Sequence, residues 1–185
     1  MAQEIFGLGK KRPQLDLPVE KLFLDPENPR LPETVQGGNE DTLLLTLYKD
    51  FDLRELAGSL SQNGYFDEEP LVAIPKDLPT KFKGKTYEQL NKDKDYYSFI
   101  NNSDTKFIVV EGNRRLAAVK TLLSSELRTK LKIKEWPDAS PQVKEDIKIL
   151  PVIIYPIREE VVPYLGVRHI SGIKKWEPYA KARYI

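Results

Sequence analysis

One stretch decides the fold of this chain: Phe107-Ile-Val-Val-Glu111-Gly112-Asn113-Arg114-Arg115-Leu116-Ala-Ala-Val-Lys120. A β-branched apolar run stops at an acidic residue and a glycine, and apolar residues then recur with the period of a helix. This order predicts a strand that turns through Gly112 into a helix. The first turn of such a helix has N–H groups without intrahelical partners and the positive end of the helix dipole.

Two arginines directly after the glycine indicate an anion site. The guanidinium groups of Arg114 and Arg115, with the backbone of Gly112 and Asn113, would hold phosphate oxygens by charge-assisted hydrogen bonds. The alternative is that both arginines lie on a solvated first turn. Cations are disfavoured near a helix N-terminus unless an anion offsets them, so the pattern favours a phosphate site at Gly112–Arg115.

Glu111 ends the predicted strand beside this site and has two interpretations. It would orient Mg²⁺ or act as a general base, or it would pair with one of the arginines. The chain has no cysteine and a single histidine, which excludes cysteine-based and histidine-rich metal sites. A Mg²⁺ ion held by Glu111 and by phosphates stays among the expected cofactors.

Composition restricts the remaining function classes. The 185 residues carry a formal net charge of +1, so the chain as a whole does not form a strongly basic surface. Basic residues are in excess over 166–185, where they would contact phosphates or form a solvated helix face. The apolar runs are far below membrane-spanning length and no signal-peptide core is present, which predicts a cytoplasmic protein without a membrane partner.

Strands and helices alternate along the chain, which predicts an α/β fold with a small mixed β-sheet and packed helices. The predicted strands cover 20–24, 70–74, 106–110 and 150–155. Predicted helices cover 41–49, 52–63, the run after Gly112, 124–133, 140–147, 159–165 and 176–185. Asp52 with Glu55 three residues later is a capping-box pattern, and Ser140-Pro141 is typical of an N-cap and first helical residue.

The expected organisation has three parts. Residues 1–16 are polar and predict a flexible arm, 17–157 form the α/β core, and 158–185 form a C-terminal helical segment. Within the core, 75–106 is rich in lysine, aspartate and tyrosine and predicts an insertion that packs locally. The last segment ends in an unfinished helical pattern, so we expect it to lead into an absent C-terminal region.

The chain resembles the ParB/sulfiredoxin-like superfamily, and specifically the ParB N-terminal-type (ParB-like nuclease) domains. Gly112-Asn-Arg-Arg-Leu-Ala-Ala118 is similar to the family's Gly-Glu-Arg-Arg-x-Arg-Ala motif. Asn28-Pro29-Arg30 resembles its Asn-Pro-Arg loop, Pro70-Leu71-Val72 its second strand, and Leu150-Pro-Val-Ile-Ile154 the strand after the motif helix. The resemblance covers about residues 18–157 in order and implies a ParB N-terminal/sulfiredoxin-like fold.

Three departures limit what the resemblance implies. Asn113 stands where the family usually has glutamate, and Ala117 where it often has arginine. The counterpart of the motif with which CTP-hydrolysing members hold nucleotide and metal is Arg168-His-Ile-Ser-Gly172, which keeps neither its acid nor its arginine. Sulfiredoxin activity is excluded because it needs a cysteine. Nucleotide binding, to CTP or ATP, is therefore implied more directly than hydrolysis.

The resemblance also implies ligand contacts from outside the turn. It assigns them to Asn28, Arg30, Gly64, Tyr65, His169 and Ser171. A second source of arginine suits a polyphosphate ligand. Each position also has an ordinary structural explanation: a turn for the Asn-Pro-Arg loop, a helix C-cap for the glycine and a structural hydrogen bond for the histidine.

Three functions are consistent with these features. The first is a ParB-like module that binds CTP or another nucleoside triphosphate and has a DNA-associated switching role. The second is a Mg²⁺-dependent enzyme, either a nuclease or a phosphotransferase, in which Glu111 would serve the metal. The third is a non-catalytic domain that binds DNA or recruits a partner. A homodimer is among the partners considered.

Overall fold

The structure is a computed structural model that describes the backbone of residues 12–172 and the side chains of residues 12–169. The N-terminal part of the predicted arm, residues 1–11, lies outside the described residues. The predicted helix at 176–185 and the side chain of Ser171 lie outside them as well.

A five-stranded mixed β-sheet forms the centre of the fold. Its strands are β1 (Gln14–Pro18), β2 (Leu22–Leu24), β3 (Leu71–Pro75), β4 (Phe107–Glu111) and β5 (Ile149–Ile154). Their spatial order is β1-β5-β3-β4-β2. β5 is antiparallel to β1 and parallel to β3, whereas β4 is antiparallel to β3 and parallel to β2. The predicted α/β class with a mixed sheet is confirmed.

Eight α-helices accompany the sheet in residues 12–172. They are α1 (Glu40–Asp50), α2 (Leu53–Asn63), α3 (Tyr87–Leu90), α4 (Lys94–Ile100), α5 (Asn113–Leu123), α6 (Ser125–Lys130), α7 (Pro141–Asp146) and α8 (Val162–Gly166), and a π-helical turn follows at Val167–Gly172. None of these described helices is long and apolar enough to cross a membrane.

The main core lies between one face of the sheet and helices α1, α2 and α5. Alternate strand residues such as Ala73 and Val109 face this core and are fully buried, as the two-residue period of a strand requires. The opposite face carries a smaller cluster in which Val72 and Val110 pack against Val161. This second cluster holds the start of α8 against the sheet, close to the end of β4.

The predicted insertion at 75–106 is an ordered part of the domain. It contains a 3₁₀ turn at Thr80–Phe82 followed by α3 and α4. Phe82 and Tyr96 are almost completely buried, and their rings pack edge to face with centroids 5.5 Å apart. Because both side chains belong to the main core, the segment extends that core beyond the local packing that the sequence predicts.

Three local predictions need correction. Residues 14–16 of the predicted arm pair with β5 as part of β1, because Leu15 and Leu17 place apolar side chains against the core. The predicted strand at 20–24 begins with a 3₁₀ turn at Val19–Lys21. The predicted helix at 159–165 is a 3₁₀ turn at Arg158–Glu160 followed by α8.

The capping prediction is correct for position and wrong for chemistry at α2. Asp52 is the N-cap residue, but its φ of 47° is left-handed and its side chain accepts no capping hydrogen bond. The predicted capping box with Glu55 is therefore absent. At α7 the prediction is confirmed, since the Ser140 side chain accepts from Val143 N and Pro141 is the first helical residue.

Candidate anion-binding site

The strand-to-helix turn at Gly112 has the predicted form. β4 ends at Glu111, Gly112 is the N-cap with φ of 96°, and α5 begins at Asn113. A side chain at this glycine would be strained by the positive φ. Its Cβ would also collide with Leu71 Cδ2 and lie 3.1 Å from Arg115 Nη2. Glycine is therefore required where β4, β3 and the first turn of α5 meet.

A cavity of about 610 Å³ opens beside this turn. Its polar wall is formed by the loop at 28–30, the turn at 111–115 and the C-terminal segment at 166–169. Its apolar wall is formed by Leu47, Phe51, Leu56, Val110, Val162 and Leu165. Four arginines line the cavity (Arg30, Arg114, Arg115 and Arg168), but only one carboxylate, Glu111, does so among the described residues. This excess of positive charge suits an anionic ligand.

Of the four arginines that line the cavity, Arg114 and Arg30 are the two whose guanidinium groups no described carboxylate neutralises. Arg114 Nη2 donates to the backbone oxygen of Asp52 at 3.2 Å, and its Nε is buried without a hydrogen-bond partner in the described part of the chain. Arg30 Nη2 donates to His169 Nδ1 at 2.9 Å. Both groups keep N–H donors that an anion in the cavity could use.

Arg115 has a different role from its neighbour, because its donors are engaged within the protein. Its Nη1 donates to Tyr65 Oη at 2.9 Å and to the backbone oxygen of Glu69, and its Nη2 lies 3.7 Å from the Glu69 carboxylate. Burial raises the pKa of Tyr65 to about 12, which keeps its hydroxyl neutral as a donor to Glu69 O. Arg115 therefore fixes the segment at 65–69 beside the turn.

The Asn113 side chain is also structural. It is buried, its Oδ1 accepts from Asp25 N at 2.8 Å, and its Nδ2 donates to Val109 O at 2.7 Å. These bonds join the first residue of α5 to β4 and to the loop that follows β2. Asn113 can thus contribute to an anion site through its backbone N–H group.

Glu111 contacts two side chains of the C-terminal segment. Its Oε2 lies 2.7 Å from His169 Nε2, and its Oε1 lies 3.4 Å from Arg168 Nε. Arg168 also reaches Glu69 Oε2 at 2.8 Å. The geometry thus matches the second interpretation of Glu111, pairing with an arginine, although the partner is Arg168 and neither residue of the motif pair.

The hydrogen bonds of His169 define its tautomer. Arginine can only donate, so the contact with Arg30 requires an unprotonated Nδ1 on the imidazole. The proton of the neutral ring is then on Nε2, which donates to Glu111. His169 in this neutral form connects the loop at 28–30 with the end of β4.

The donor set does not fit a Mg²⁺ ion held by the protein. In residues 12–172 no three His, Asp or Glu side chains form a group that could hold a metal. Glu111, the proposed ligand, is already hydrogen-bonded to His169 and ion-paired with Arg168. The described side chains of the cavity therefore offer a metal ion no free carboxylate.

The structure brings most of the predicted site residues to this one cavity. Asn28 and Arg30 line it together with Glu111, the turn and His169. Gly64 does not: it is the C-cap of α2, and a Cβ there would lie 2.8 Å from Asp146 Oδ2. Tyr65 reaches the site through Arg115.

Sequence reasoning missed two groups of lining residues. Arg168 begins the segment 168–172, which departs from the family's motif. Its position next to the candidate residue His169 was the sequence signal that could have identified it as a lining residue. The lining residues from α1 and α2 were not predicted, because a helical spacing of leucines does not separate residues that line a cavity from residues that fill one.

The chain matches no family model and no curated protein. Among solved structures, it is similar to the crystal structure of the C-terminally truncated chromosome-partitioning protein ParB from Caulobacter crescentus complexed with CTP-gamma-S. The two share 13% sequence identity with a TM-score of 0.46, over 93% of this chain and 60% of that one. This chain thus spans about three fifths of that protein, and we base no functional conclusion on the likeness.

Proposed function

We propose that this chain is a nucleotide-binding module that holds a nucleoside triphosphate such as CTP or ATP by its phosphates. One observation carries the proposal: beside the N-terminus of α5, arginines from three separate segments converge on a cavity that a single carboxylate lines in the described part of the chain. Its volume of about 610 Å³ is in the range usual for small-molecule sites.

The phosphates would bind where the unneutralised donors are. Arg114 opens α5, where a cation is unfavourable unless an anion lies nearby. The first N–H groups of the same helix are oriented to bind an anion. Arg30 reaches the same cavity from the opposite loop, so a chain of two or three phosphate groups would contact both guanidinium groups at once.

The apolar wall supports a nucleoside over a bare polyphosphate. Leu47 and Phe51 of α1, Leu56 of α2 and Leu165 of α8 line the side of the cavity formed by helices. A base or sugar could bury apolar surface there, whereas inorganic polyphosphate has none to bury. The ligand class is therefore one with a charged end and a flat, weakly polar end.

A switching role follows from the contacts of the C-terminal segment. Arg168 and His169 are held at the cavity by Glu69, Glu111 and Arg30. Phosphate oxygens would compete with these carboxylates for the same donors. Ligand binding would thereby change how 166–169 is held, although the implied association with DNA rests on no contact in the described residues.

The enzyme alternatives receive less support from the site. A nuclease or a phosphotransferase needs a carboxylate that can hold a metal or accept a proton. Glu111 is the one lining carboxylate among the described residues, and it is engaged with Arg168 and His169. A nucleotide-binding role needs no such free carboxylate.

The test is thermal unfolding of the wild type, Arg114→Ala and Arg54→Ala with CTP, ATP, GTP, UTP or inorganic triphosphate. A ligand bound only by the folded protein at a hundred times its Kd stabilises it by about 2.7 kcal/mol. We expect at least one nucleotide to raise the unfolding temperature of the wild type and of Arg54→Ala, and we expect Arg114→Ala to lose this stabilisation. Arg54, an exposed arginine that pairs with Glu135 and does not line the cavity, is the matched control.

Two results would contradict the proposal. The first is the absence of a shift with every nucleotide in the wild type. The second is an equal shift in the wild type and in Arg114→Ala, which would place binding elsewhere. If inorganic triphosphate raised the unfolding temperature as much as the nucleotides do, the apolar wall would not contribute to ligand binding.

A further inference from the structure

In the described part of the chain, every side-chain oxygen that lines the cavity is hydrogen-bonded or ion-paired within the protein. From this we infer that the cavity binds its polyphosphate as a free anion, without a bridging divalent cation. The inference rests on the proposed nucleotide-binding function and specifies the form in which the ligand is bound.

Among the described residues, three lining side chains carry oxygen: Asn28, Glu111 and Asn113. Asn28 Oδ1 accepts from Arg30 N at 3.0 Å, and Asn113 Oδ1 accepts from Asp25 N at 2.8 Å. Both oxygens of Glu111 face donors of the C-terminal segment. Magnesium requires oxygen ligands in near-octahedral geometry, usually one or two carboxylates together with phosphates. A magnesium ion here would have to displace Arg168 and His169 from Glu111, the one carboxylate that lines the described part of the cavity.

The charges in the cavity also disfavour a second cation. Among the described residues, four guanidinium groups and one carboxylate line the cavity. Glu69, which does not line it, pairs with Arg168 at 2.8 Å and lies 3.7 Å from Arg115, so Arg30 and Arg114 keep their charge unneutralised. Arginine can bind phosphate oxygens with two parallel hydrogen bonds and carries a permanent charge. The guanidinium groups thus supply the charge neutralisation that a metal ion supplies in sites rich in carboxylates.

Glu111 has opposite effects in the two kinds of site. If it held a metal ion, its loss would weaken binding of the nucleotide. If the ligand binds as a free anion, Glu111 competes with the phosphates for Arg168 and His169, and its loss would strengthen binding. The sign of the change in affinity therefore distinguishes the two.

The experiment is isothermal titration of the wild type with CTP and with ATP, once in EDTA and once in excess Mg²⁺. Glu111→Gln is titrated in the same way, with Glu145→Gln as the control, because Glu145 pairs with Lys148 on an exposed surface outside the cavity. We expect the affinity in EDTA to equal or exceed that in Mg²⁺. We expect Glu111→Gln to bind about tenfold more tightly, a change of about 1.4 kcal/mol in binding free energy, and Glu145→Gln to bind like the wild type.

Binding that needs Mg²⁺, or that weakens in Glu111→Gln, would overturn the inference and leave the proposed function standing. Absence of binding with and without Mg²⁺ would overturn the proposed function and this inference together. If Glu111→Gln does not fold, the comparison of EDTA with Mg²⁺ on the wild type decides alone.

Discussion

At the residue scale, two adjacent arginines have unlike roles. Arg114 keeps an unpaired buried Nε and one backbone contact, whereas Arg115 is tied to Tyr65 and Glu69. Their side chains leave α5 about 100° apart around its axis, as the helical period requires. One therefore faces the cavity with free donors, and the other faces the segment that follows α2.

Gly112 makes this arrangement possible, and its replacement should be costly. Gly112→Ala combines the strain of a positive φ with a collision against Leu71, so we expect the free energy of unfolding to fall by about 2 kcal/mol or more. Gly84→Ala is the control, because Gly84 has φ of 75° and no atom within 4 Å of the added Cβ. It should lose only about 1 kcal/mol. Urea unfolding measures the free energy of unfolding of both variants. Equal losses of stability would show that Leu71 moves to relieve the collision in Gly112→Ala.

At the element scale, the caps of α1 and α2 differ although both are short polar residues. Asn39 accepts from Thr42 N at 3.0 Å and caps α1. Asp52 makes no such bond, because its left-handed backbone turns the side chain away from the first turn of α2. The same backbone directs Asp52 O toward Arg114 Nη2. α2 thus contributes a carbonyl to the site in place of an ordinary cap.

This difference predicts opposite effects of removing the two side chains. Asn39→Ala should lower the free energy of unfolding by about 1 kcal/mol, because a capping bond is lost. Asp52→Gly should leave it unchanged or raise it by about 0.5 kcal/mol, because glycine relieves the left-handed strain. Chemical denaturation of the two variants checks the signs. A loss of 1 kcal/mol at Asp52 would mean that its carboxylate caps α2 in solution.

At the scale of the whole molecule, one buried ion pair connects the C-terminal segment to the core. Asp25 is fully buried, and Arg158 binds both of its oxygens at 2.8 and 2.5 Å. Hydrogen bonding to Asp25 raises the pKa of Arg158. Asp25 N in turn donates to Asn113. The start of the C-terminal segment, the loop after β2 and the first residue of α5 are therefore one connected unit.

Loss of Arg158 should destabilise the whole fold. Arg158→Met leaves the Asp25 carboxylate buried without its cation, which costs about 3 kcal/mol or more. Lys148→Met is the matched control, since it breaks an exposed pair with Glu145 and should cost less than about 1 kcal/mol. Thermal and urea unfolding compare the two. Similar small losses in both variants would mean that water replaces Arg158 at Asp25.

Much of the fold could be predicted from local pattern. The strand, glycine and helix around Gly112 and the cap at Ser140 are confirmed because each is determined by residues adjacent in the chain. The β1 strand was not predicted because its alternating pattern, with apolar side chains at Leu15 and Leu17, spans only 14–17, and pairing with β5 is what stabilises so short a strand. The sequence did not predict that the insertion joins the main core, because the other members of that core are strand and helix residues distant in the sequence.

Residue pattern along the chain was enough to predict the α/β class, the turn at Gly112 and the presence of arginine beside a helix N-terminus. The packed structure was needed to show which arginines keep free donors, that Glu111 pairs with Arg168 and His169, and that Asn113 is buried. The physical reason is that conformation and helix capping depend on neighbours along the chain. Charge pairing and cavity shape depend on groups more than fifty residues apart, which only the packed sheet and helices bring together.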